Sequence, residues 1–433
     1  RAGALALDAL ASTHPIYAPV RSVAEATENF DVITYEKGAA VVRMIEHYLG
    51  PDAFRAGVRL YMRRHREGNT VAQDLWRALE EASGKAVTRV AQAWIAQAGF
   101  PLVRLETERD GKGLRVRQER FFADPRTPPA KRRVRWPVPM VVKWPDGAVP
   151  VLADKATQTI PWPKRKRPAH WFGNASAGGF YRVLHDAENC AALLADLAHT
   201  LLPVERMALV GDQWALVRGA LAPIESFLDV AAALGGEQDY DVLDALAGPL
   251  SVIDEQIAEP GSDVQVRFRR CIARRFGPAF KKLGWAAAPG EADGVRLRRG
   301  ALLRLVGGVA EAPDVVAEAG RRFDGYLADR ASLEPNLAEP VVGLAARGGD
   351  EARYEHFLRV AAEARTPQER RRFLLALGAF RTPATIRRTL ASMLSQDIPT
   401  QDVGFVLMRL LGNPAGRAEG WKFLTKRWTA LRK

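Results

Sequence analysis

Residues 94–106 read W-I-A-Q-A-G-F-P-L-V-R-L-E, and the spacing of apolar residues changes inside this stretch. Up to Gly99, apolar residues return every three or four positions, which is typical of an amphipathic helix. After Pro101, apolar and charged residues alternate, which is typical of a strand with one buried face. The stretch therefore predicts a boundary between a helical region and a sheet region near residue 100.

The hundred residues before this boundary carry a helical pattern. Val41, Met44, Ile45 and Tyr48 follow one another at helical spacing, and a second such series begins after residues 50–52, G-P-D. Glycine and proline end one helix there and allow the next to begin. We therefore predict that residues 1–100 form a helical domain.

Residues 101–188 carry a different pattern, with short period-two runs between Gly, Pro and Asp turns. Examples are residues 114–117, L-R-V-R, and the stretch from Val134 to Met140. Such runs predict about seven strands before His185, arranged as a small antiparallel β-sandwich. The segment holds 18 Lys or Arg against 9 Asp or Glu, and outward-facing Arg on alternate strand positions accounts for part of this excess.

From residue 189 to 433, one helical pattern follows another with short joints between them. The joints contain Gly or Pro and fall near Pro223, Gly235, Pro260, Pro289, Pro313, Pro335, Pro367, Pro383, Pro399 and Pro414. Joints at this spacing favour paired helices stacked as an irregular α-solenoid. No fixed-period repeat is visible, so this prediction depends on the order of helices and joints. The chain is thus expected to be multidomain and mainly α, with one small all-β domain.

Composition excludes several classes of protein. The 433 residues are 47% apolar and 26% charged, the ordinary balance of a globular chain. No window carries the roughly 18 uncharged apolar residues that a bilayer span needs, so no membrane partner is expected. Cys190 and Cys271 are too few for a disulfide framework and favour a reducing, cytoplasmic location. The first residue is Arg1, and no signal-peptide pattern follows it, so we expect the chain to begin inside a longer polypeptide.

Motifs that would identify a catalytic or metal site by themselves do not occur. The seven histidines form no H-E-x-x-H pair, so no metal ligand is assigned in this chain. No G-x-S-x-G elbow, papain-like cysteine context or P-loop occurs either. Taken alone, these patterns define a helical, sheet and helical assembly without a reaction.

Two basic clusters in the sheet region could bind nucleic acid. K-R-R-V-R-W spans residues 131–136, and P-K-R-K-R-P spans residues 163–168. Lys and Arg could contact phosphates there, while Trp136, Trp162 and Trp171 could stack on bases. The alternative is a solvated sheet edge whose charges prevent edge-to-edge pairing. We favour this alternative because no nucleic-acid-binding fold signature accompanies the charge.

An ordered series of motifs is more specific than any of these patterns. S-T-H-P-I at 12–16, F-D-V-I-T-Y-E-K-G-A at 30–39 and W-I-A-Q-A-G-F-P at 94–101 come first. G-F-Y-R-V-L-H at 179–185 and E-R-M-A-L-V-G-D-Q-W-A-L at 205–216 follow. Over nearly the whole chain, this order resembles the aminopeptidase N family of zinc metallopeptidases. The resemblance implies the second half of a thermolysin-like catalytic domain, then a β-sandwich, then a C-terminal helical domain.

The chain departs from that family in its metal site. The family's zinc motif, H-E-x-x-H, and its G-x-M-E-N strand, which holds the peptide's free amine, occur nowhere in these residues. The resemblance therefore implies the C-terminal part of an aminopeptidase whose zinc is bound by a missing N-terminal catalytic segment. Zinc is expected in the full-length enzyme, and the isolated chain is expected to bind none and to be inactive.

The resemblance transfers one catalytic residue. By its place in T-Y-E-K-G-A, Tyr35 matches the family tyrosine whose hydroxyl donates to the oxyanion formed when water attacks the scissile carbonyl at the zinc. A tyrosine hydroxyl suits this role because it is protonated at neutral pH and donates one hydrogen bond. The alternative is a structural aromatic that packs on Phe30. Glu36 and Lys37 are expected to shape and solvate the helix start, and Gly38 is expected to allow close packing.

Three further residues are assigned by their place in the motif order. His14 either lies at the rim of the active site or holds a structural turn. Arg409 and Arg417 lie near the end of the solenoid, which in the family closes over the active-site cavity, so either could bind a peptide carboxylate. The alternative for both is a surface arginine at a helix joint.

Two functions other than peptide hydrolysis stay open at this point. In one, the sandwich and solenoid form a non-catalytic module that binds a peptide or a protein, and the resemblance reflects ancestry only. In the other, which is the least favoured, the basic sandwich binds nucleic acid. Our main expectation is the release of N-terminal residues from peptide substrates once the missing segment completes the site.

Overall fold

The computed structural model describes residues 1–28, 30–163, 166–395 and 397–431. Most of these residues are helical, and one small sheet region interrupts the helices. Among the residues described, no helix is both long and apolar enough to span a bilayer.

The chain divides into two compact units, residues 1–234 and residues 235–433. In the described residues of the first unit, six α-helices precede the sheet region and four follow it. One π-helical turn, Ile33–Lys37, leads directly into the third helix and is called the Tyr35 turn below. The helices are α1 Ala2–Asp8, α2 Val23–Glu28, α3 Gly38–Leu49, α4 Pro51–Arg64, α5 Ala72–Ser83, α6 Val87–Ala96, α7 Ala187–Ala195, α8 Leu197–Thr200, α9 Pro203–Arg218 and α10 Ile224–Ala233.

The sheet region has six strands in its described residues. They are β1 Pro101–Thr107, β2 Gly113–Arg120, β3 Val138–Trp144, β4 Gly147–Ala153, β5 Thr157–Pro161 and β6 Arg182–His185. Four of them form one sheet in the order β5-β2-β1-β6, while β3 and β4 form a separate two-stranded sheet. In the central pairs, Leu105 on β1 lies opposite Val116 on β2 and His185 on β6.

The sheet differs from the sequence prediction in two respects. The prediction gave antiparallel pairing throughout, whereas β6 runs parallel to β1. Parallel neighbours need a long connection, and the chain after β5 supplies one before it returns to the far edge of β1. The prediction also gave about seven strands, which is one more than the described residues contain.

The stretch from Val134 to Met140 also differs from the prediction, because it forms a strand only from Val138 on. Side chains bind the backbone just before that strand. The backbone N–H of Trp136 donates to Gln118 Oε1 at 2.9 Å, and the backbone carbonyl of Pro137 accepts from Trp94 Nε1 at 2.9 Å. These backbone groups therefore have partners other than a neighbouring strand.

Trp94 lies at the centre of the contact between helices and sheets. It is fully buried, its ring centroid lies 6.0 Å from that of Trp136, and the Phe180 ring meets it edge-on at 6.4 Å. The continuous apolar core around it contains residues of α3, α6 and both sheets. Phe100 and Leu105, from the stretch that predicted the boundary, are also fully buried in this core. The change of hydrophobic period thus marks the place where the helices join the sheets.

Helices α7 and α9 are fastened to the sheets by carboxylates, of which Glu205 and Asp212 are fully buried. Asp186 caps α7 and accepts from the backbone N–H of Thr107 on β1 at 3.1 Å. Glu205, at the start of α9, lies 2.6 Å from Lys143 Nζ on β3. Asp212, also on α9, pairs with Arg182 on β6 at 3.0 Å. These bonds explain why the first unit continues past the sheets to residue 234, while the predicted boundary at 188/189 stays a prediction.

The second unit, residues 235–433, contains only helices and turns in its described part. Several helices begin at a proline, because proline at the first helical position has no N–H to leave unpaired. The α-helices are α11 Tyr240–Val252, α12 Asp263–Leu283, α13 Asp293–Leu303, α14 Pro313–Ala328, α15 Pro335–Arg347, α16 Glu351–Glu363, α17 Pro367–Ala376, α18 Pro383–Ser392, α19 Thr400–Gly412 and α20 Arg417–Leu431. Two π-helical turns, Ile253–Ile257 and Arg304–Val309, extend α11 and α13.

Candidate functional site

Tyr35 lies on the surface of the first unit, in the middle of the Tyr35 turn. Its side chain is 58% exposed, so it is not sealed inside the protein. The nearest aromatic ring is that of Phe30, with 5.7 Å between ring centroids, and Phe30 is itself 71% exposed. The contact that the structural alternative requires is therefore present, but it leaves both rings open to solvent.

Asp31 fixes the beginning of the Tyr35 turn. Its backbone carbonyl accepts from the Tyr35 N–H at 3.1 Å, and its Oδ1 accepts from the Thr34 N–H at 2.8 Å. The other carboxylate oxygen, Oδ2, lies 2.6 Å from Nε2 of His14. The His14 side chain thus acts on the turn that carries Tyr35, through one carboxylate.

The His14 ring is held at both nitrogens, since Nδ1 lies 2.8 Å from the Pro15 carbonyl oxygen. Partial burial lowers the pKa of His14, but hydrogen bonds with Pro15 and with Asp31 outweigh it and raise this pKa above its ordinary value. Partial burial likewise raises the pKa of Asp31, but hydrogen bonds from the Thr34 backbone and His14 outweigh it, so the pKa is lowered. Both shifts favour the charged pair.

Lys37 fixes the other end of the turn from inside the protein. Its side chain is fully buried, and its Nζ lies 2.9 Å from Asp8 Oδ2, also fully buried. The same ammonium donates to the carbonyls of Gln97 at 3.2 Å and Gly99 at 3.0 Å. Burial lowers the pKa of Lys37, and the Asp8 carboxylate opposes that shift. The expectation that Lys37 solvates the helix start is wrong, because these three oxygen atoms replace solvent around its charge.

Gly38 also differs from expectation. A Cβ atom placed on it would meet nothing within 4 Å in the described part of the chain. Close packing is therefore not the reason for glycine at this position, and that expectation is wrong.

The residues of this site do not form a metal centre. Within residues 1–28, 30–163, 166–395 and 397–431, no group of three or more His, Cys, Asp or Glu side chains could hold a metal ion. Two carboxylates that hold the Tyr35 turn, Asp31 and Asp8, already bind His14 and Lys37. The described residues therefore do not fit zinc, and ligands for a metal would have to come from another stretch of polypeptide.

Arg409 and Arg417 lie in the second unit, whereas Tyr35 lies in the first. Arg409 lines a cavity of about 340 Å³, and its guanidinium pairs with Glu339 at 2.7 Å. Arg417 is not among the described residues that line this cavity. It donates to the carbonyls of Leu411 at 3.0 Å and Gly412 at 3.1 Å, which are the last backbone acceptors of α19. The Arg417 side chain thus caps a helix end.

The basic clusters do not provide the stacking surface that nucleic-acid binding would use. Trp136, Trp162 and Trp171 are at most 3% exposed, so their faces are covered by the protein core. Lys164 and Arg165, in the second cluster, lie outside the described residues. The hypothesis of bases stacked on these tryptophans is wrong, because the aromatic rings are part of the core.

Comparison with known proteins shows to which class of protein this chain belongs. Residues 1–94, which contain the Tyr35 turn, match the family described as Peptidase family M1 domain. Residues 171–433 match the family described as ERAP1-like C-terminal domain. Together the two matches place the chain in the class of peptidase-family proteins with a helical C-terminal domain.

Individual relatives agree with this class. The chain is 30% identical to Aminopeptidase M1 of Arabidopsis thaliana, over 98% of this chain and 50% of that protein. It is 31% identical to Aminopeptidase M1-A of Oryza sativa subsp. japonica, over 98% and 48%. It is 29% identical to Tricorn protease-interacting factor F2 of Thermoplasma acidophilum, over 96% and 49%. The chain belongs to peptidase family M1, the aminopeptidase N family, and carries that family's C-terminal portion. It spans about half the length of the curated relatives it matches.

Proposed function

We propose that this chain is the C-terminal part of a zinc-dependent aminopeptidase that releases N-terminal residues from peptides. In this proposal, the Tyr35 hydroxyl donates a hydrogen bond to the oxyanion that forms on the scissile carbonyl. The observation that carries it is an exposed phenol on a turn fixed at both ends, inside the segment that matches the peptidase family.

The chemistry of the turn suits stabilisation of an oxyanion. Attack of water on a peptide carbonyl places negative charge on its oxygen, and a donor already aimed at that oxygen lowers the barrier. Removing one such donor typically lowers kcat by about 10²–10³. Because the backbone of Tyr35 is bonded to Asp31 and the turn ends at buried Lys37, the phenol is carried by an ordered segment and not by a free loop.

In this proposal, the zinc ligands come from polypeptide outside the 433 residues. Zinc would polarise the peptide carbonyl and activate the attacking water. We propose that its ligands belong to a further stretch of the catalytic domain, which contacts the apolar surface of the first 23 residues. Large apolar side chains are 42–85% exposed there, namely Leu7, Leu10, Tyr17, Val20 and Val23. Exposed apolar groups in such number are typical of a surface that another polypeptide covers.

The finer architecture is part of the same proposal. We take residues 1–100 as the rest of the catalytic domain, residues 101–188 as a β-sandwich made of the two sheets, and residues 189–433 as an α-solenoid of paired helices. On this division the isolated chain binds no zinc and hydrolyses no peptide.

Tyr35→Phe, made in the longer protein that supplies the zinc segment, tests the proposal. This change removes one hydroxyl and keeps the ring, so we expect kcat on an aminoacyl-anilide to fall by about 10²–10³ while KM changes little. The matched control is Tyr61→Phe on α4, whose hydroxyl bonds the exposed Thr70 at 2.7 Å. That variant is expected to keep the wild-type rate. A full rate for Tyr35→Phe, or no metal-dependent hydrolysis once the zinc segment is present, would refute the proposal.

A further inference from the structure

We infer that Lys37 and Asp8 are positioning residues for Tyr35, because their buried ion pair sets the orientation of the turn from which the phenol projects. This inference rests on the proposed function, which gives the orientation its importance. It assigns a role to two residues that lie on the opposite side of the turn from any substrate.

The helical backbone links the two side chains. Residues two apart on a helix point to roughly opposite faces, since each residue rotates by about 100°. Lys37 is fully buried and Tyr35 is exposed, as this relation requires. Any rotation of the turn that moved the phenol would therefore also move the ammonium away from its acceptors.

The acceptors around that ammonium come from two separate segments. Asp8 is the last residue of α1, while Gln97 and Gly99 lie in the connection between α6 and β1. Asp8 is bonded to the same connection, since its Oδ1 accepts from the Gly99 N–H at 2.9 Å. Lys37 thus joins the turn to a junction that is itself held together, and its ammonium contacts three oxygen atoms from two segments at once.

The first residues of the chain reach both ends of the turn. Asp8 binds Lys37 at the end, and His14 binds Asp31 at the beginning. Between them, the Thr13 hydroxyl donates to Asp8 Oδ1 at 2.6 Å, so the two contacts belong to one bonded segment. A single short stretch, residues 8–14, therefore fixes the Tyr35 turn at two points.

A buried ion pair is not needed here for stability alone. Taking two charges out of water costs so much that apolar replacements of similar volume are often as stable. The pair gives what an apolar contact does not, because it has a fixed direction and a fixed set of partners. Fixed direction matters for a donor to an oxyanion, since a displacement of about 1 Å can lower a rate by about 10²-fold.

The test removes both charges together and compares stability with catalysis. Lys37→Met alone leaves the Asp8 carboxylate buried without its partner, so we expect a much lower urea midpoint. In Lys37→Met/Asp8→Asn, the amide oxygen at position 8 still accepts from the Gly99 N–H. The urea midpoint of this double variant should therefore recover most of the way to the wild-type value. We expect kcat of this double variant, in the longer zinc-containing protein, to stay about 10- to 100-fold below wild type with KM nearly unchanged.

Two further measurements connect the effect to the phenol. In a Tyr35→Phe background, the double change should lower kcat by less than about twofold, because the hydroxyl that it displaces is already gone. In the 433-residue chain itself, hydrogen exchange of the peptide covering residues 31–41 should be at least about tenfold faster in the double variant. The exchange measurement requires neither zinc nor activity.

Lys143→Met is the matched control. Lys143 also pairs with a fully buried carboxylate, Glu205, at 2.6 Å and donates to the Thr200 carbonyl at 3.2 Å. We expect this variant to lose stability while kcat and exchange of residues 31–41 stay at wild-type values. Wild-type kcat and exchange in Lys37→Met/Asp8→Asn would overturn the positioning role even if Tyr35→Phe still lowers the rate. A full rate for Tyr35→Phe would instead refute the proposed function.

Discussion

The ion pair between Asp212 and Arg182 joins two of the motifs that the sequence shares with its family. Arg182 belongs to G-F-Y-R-V-L-H on β6, and Asp212 belongs to E-R-M-A-L-V-G-D-Q-W-A-L on α9. Asp212 Oδ1 lies 3.0 Å from the guanidinium, and Oδ2 accepts from the Val183 N–H at 3.1 Å. We predict that Asp212→Ala strongly destabilises the first unit, because both partners lose their acceptor inside the protein.

The magnitude follows from burial. The side chain of Asp212 is 1% exposed and that of Arg182 is 11% exposed, so water cannot replace the lost contacts. Breaking a buried pair on one side costs about 3–5 kcal/mol, since it leaves a buried charge uncompensated. Arg182→Met/Asp212→Leu removes both charges and leaves the Val183 N–H without its acceptor, which costs about 1–3 kcal/mol. The double variant should thus be more stable than Asp212→Ala.

Urea unfolding followed by tryptophan fluorescence measures this difference. Seven of the ten tryptophans lie in the first unit, so the signal reports mainly on that unit. Asp52→Ala is the control, because Asp52 is 94% exposed and its contact with Arg55 is open to solvent, so its midpoint should not change. If Asp212→Ala cost less than about 1 kcal/mol, or the double variant were no more stable than Asp212→Ala, the argument from burial would be wrong.

Two other predictions concern packing and pH. A Cβ on Gly57 would lie 2.7 Å from Leu79 Cδ2 and 2.8 Å from Leu79 Cα, so Gly57→Ala should lower the free energy of unfolding in urea by about 1–3 kcal/mol. Gly38→Ala should stabilise slightly, because a Cβ there meets nothing within 4 Å in the described residues. A urea midpoint of Gly57→Ala at or above the wild-type value would contradict this prediction. The pKa of His14 is raised above 6.5, and that of Asp31 is lowered below 3.8. The pair therefore stabilises the folded protein most between these two pH values, and its contribution falls as pH rises through the folded pKa of His14. The difference in urea midpoint between wild type and His14→Asn should therefore shrink above pH 6.5, and a constant difference would refute the assignment.

The parts of the fold that could be predicted are those where the residue type alone restricts the local structure. Trp94 and Phe100 marked the junction of helices and sheet, because large aromatic side chains are mostly buried in proteins and both are fully buried here. Pro313 and Pro335 begin helices, since proline without an N–H is tolerated at that position. These features depend on local chemistry, and local chemistry is visible in sequence.

The parts that could not be predicted depend on side chains distant in sequence. Gln118 binds the Trp136 backbone from 18 residues away and takes it out of the expected strand pattern. The parallel placement of β6 depends on where a long connection returns, which alternation of residues does not encode. Asp212 could have been recognised as a buried acid only from its partner on another element, Arg182.

Within the Tyr35 turn, one feature could likewise be predicted from the sequence and another could not. The resemblance drew attention to Tyr35, and the structure leaves its phenol accessible, as catalysis in a completed enzyme requires. Lys37 was expected to shape and solvate the helix start, whereas the structure buries its side chain. Helical geometry agrees with this burial, since residues two apart on a helix point to roughly opposite faces. Tyr35 faces outward and Lys37 points to the opposite side, where its buried ammonium is paired with Asp8. The exposed phenol and the buried ion pair are therefore two consequences of one helical turn.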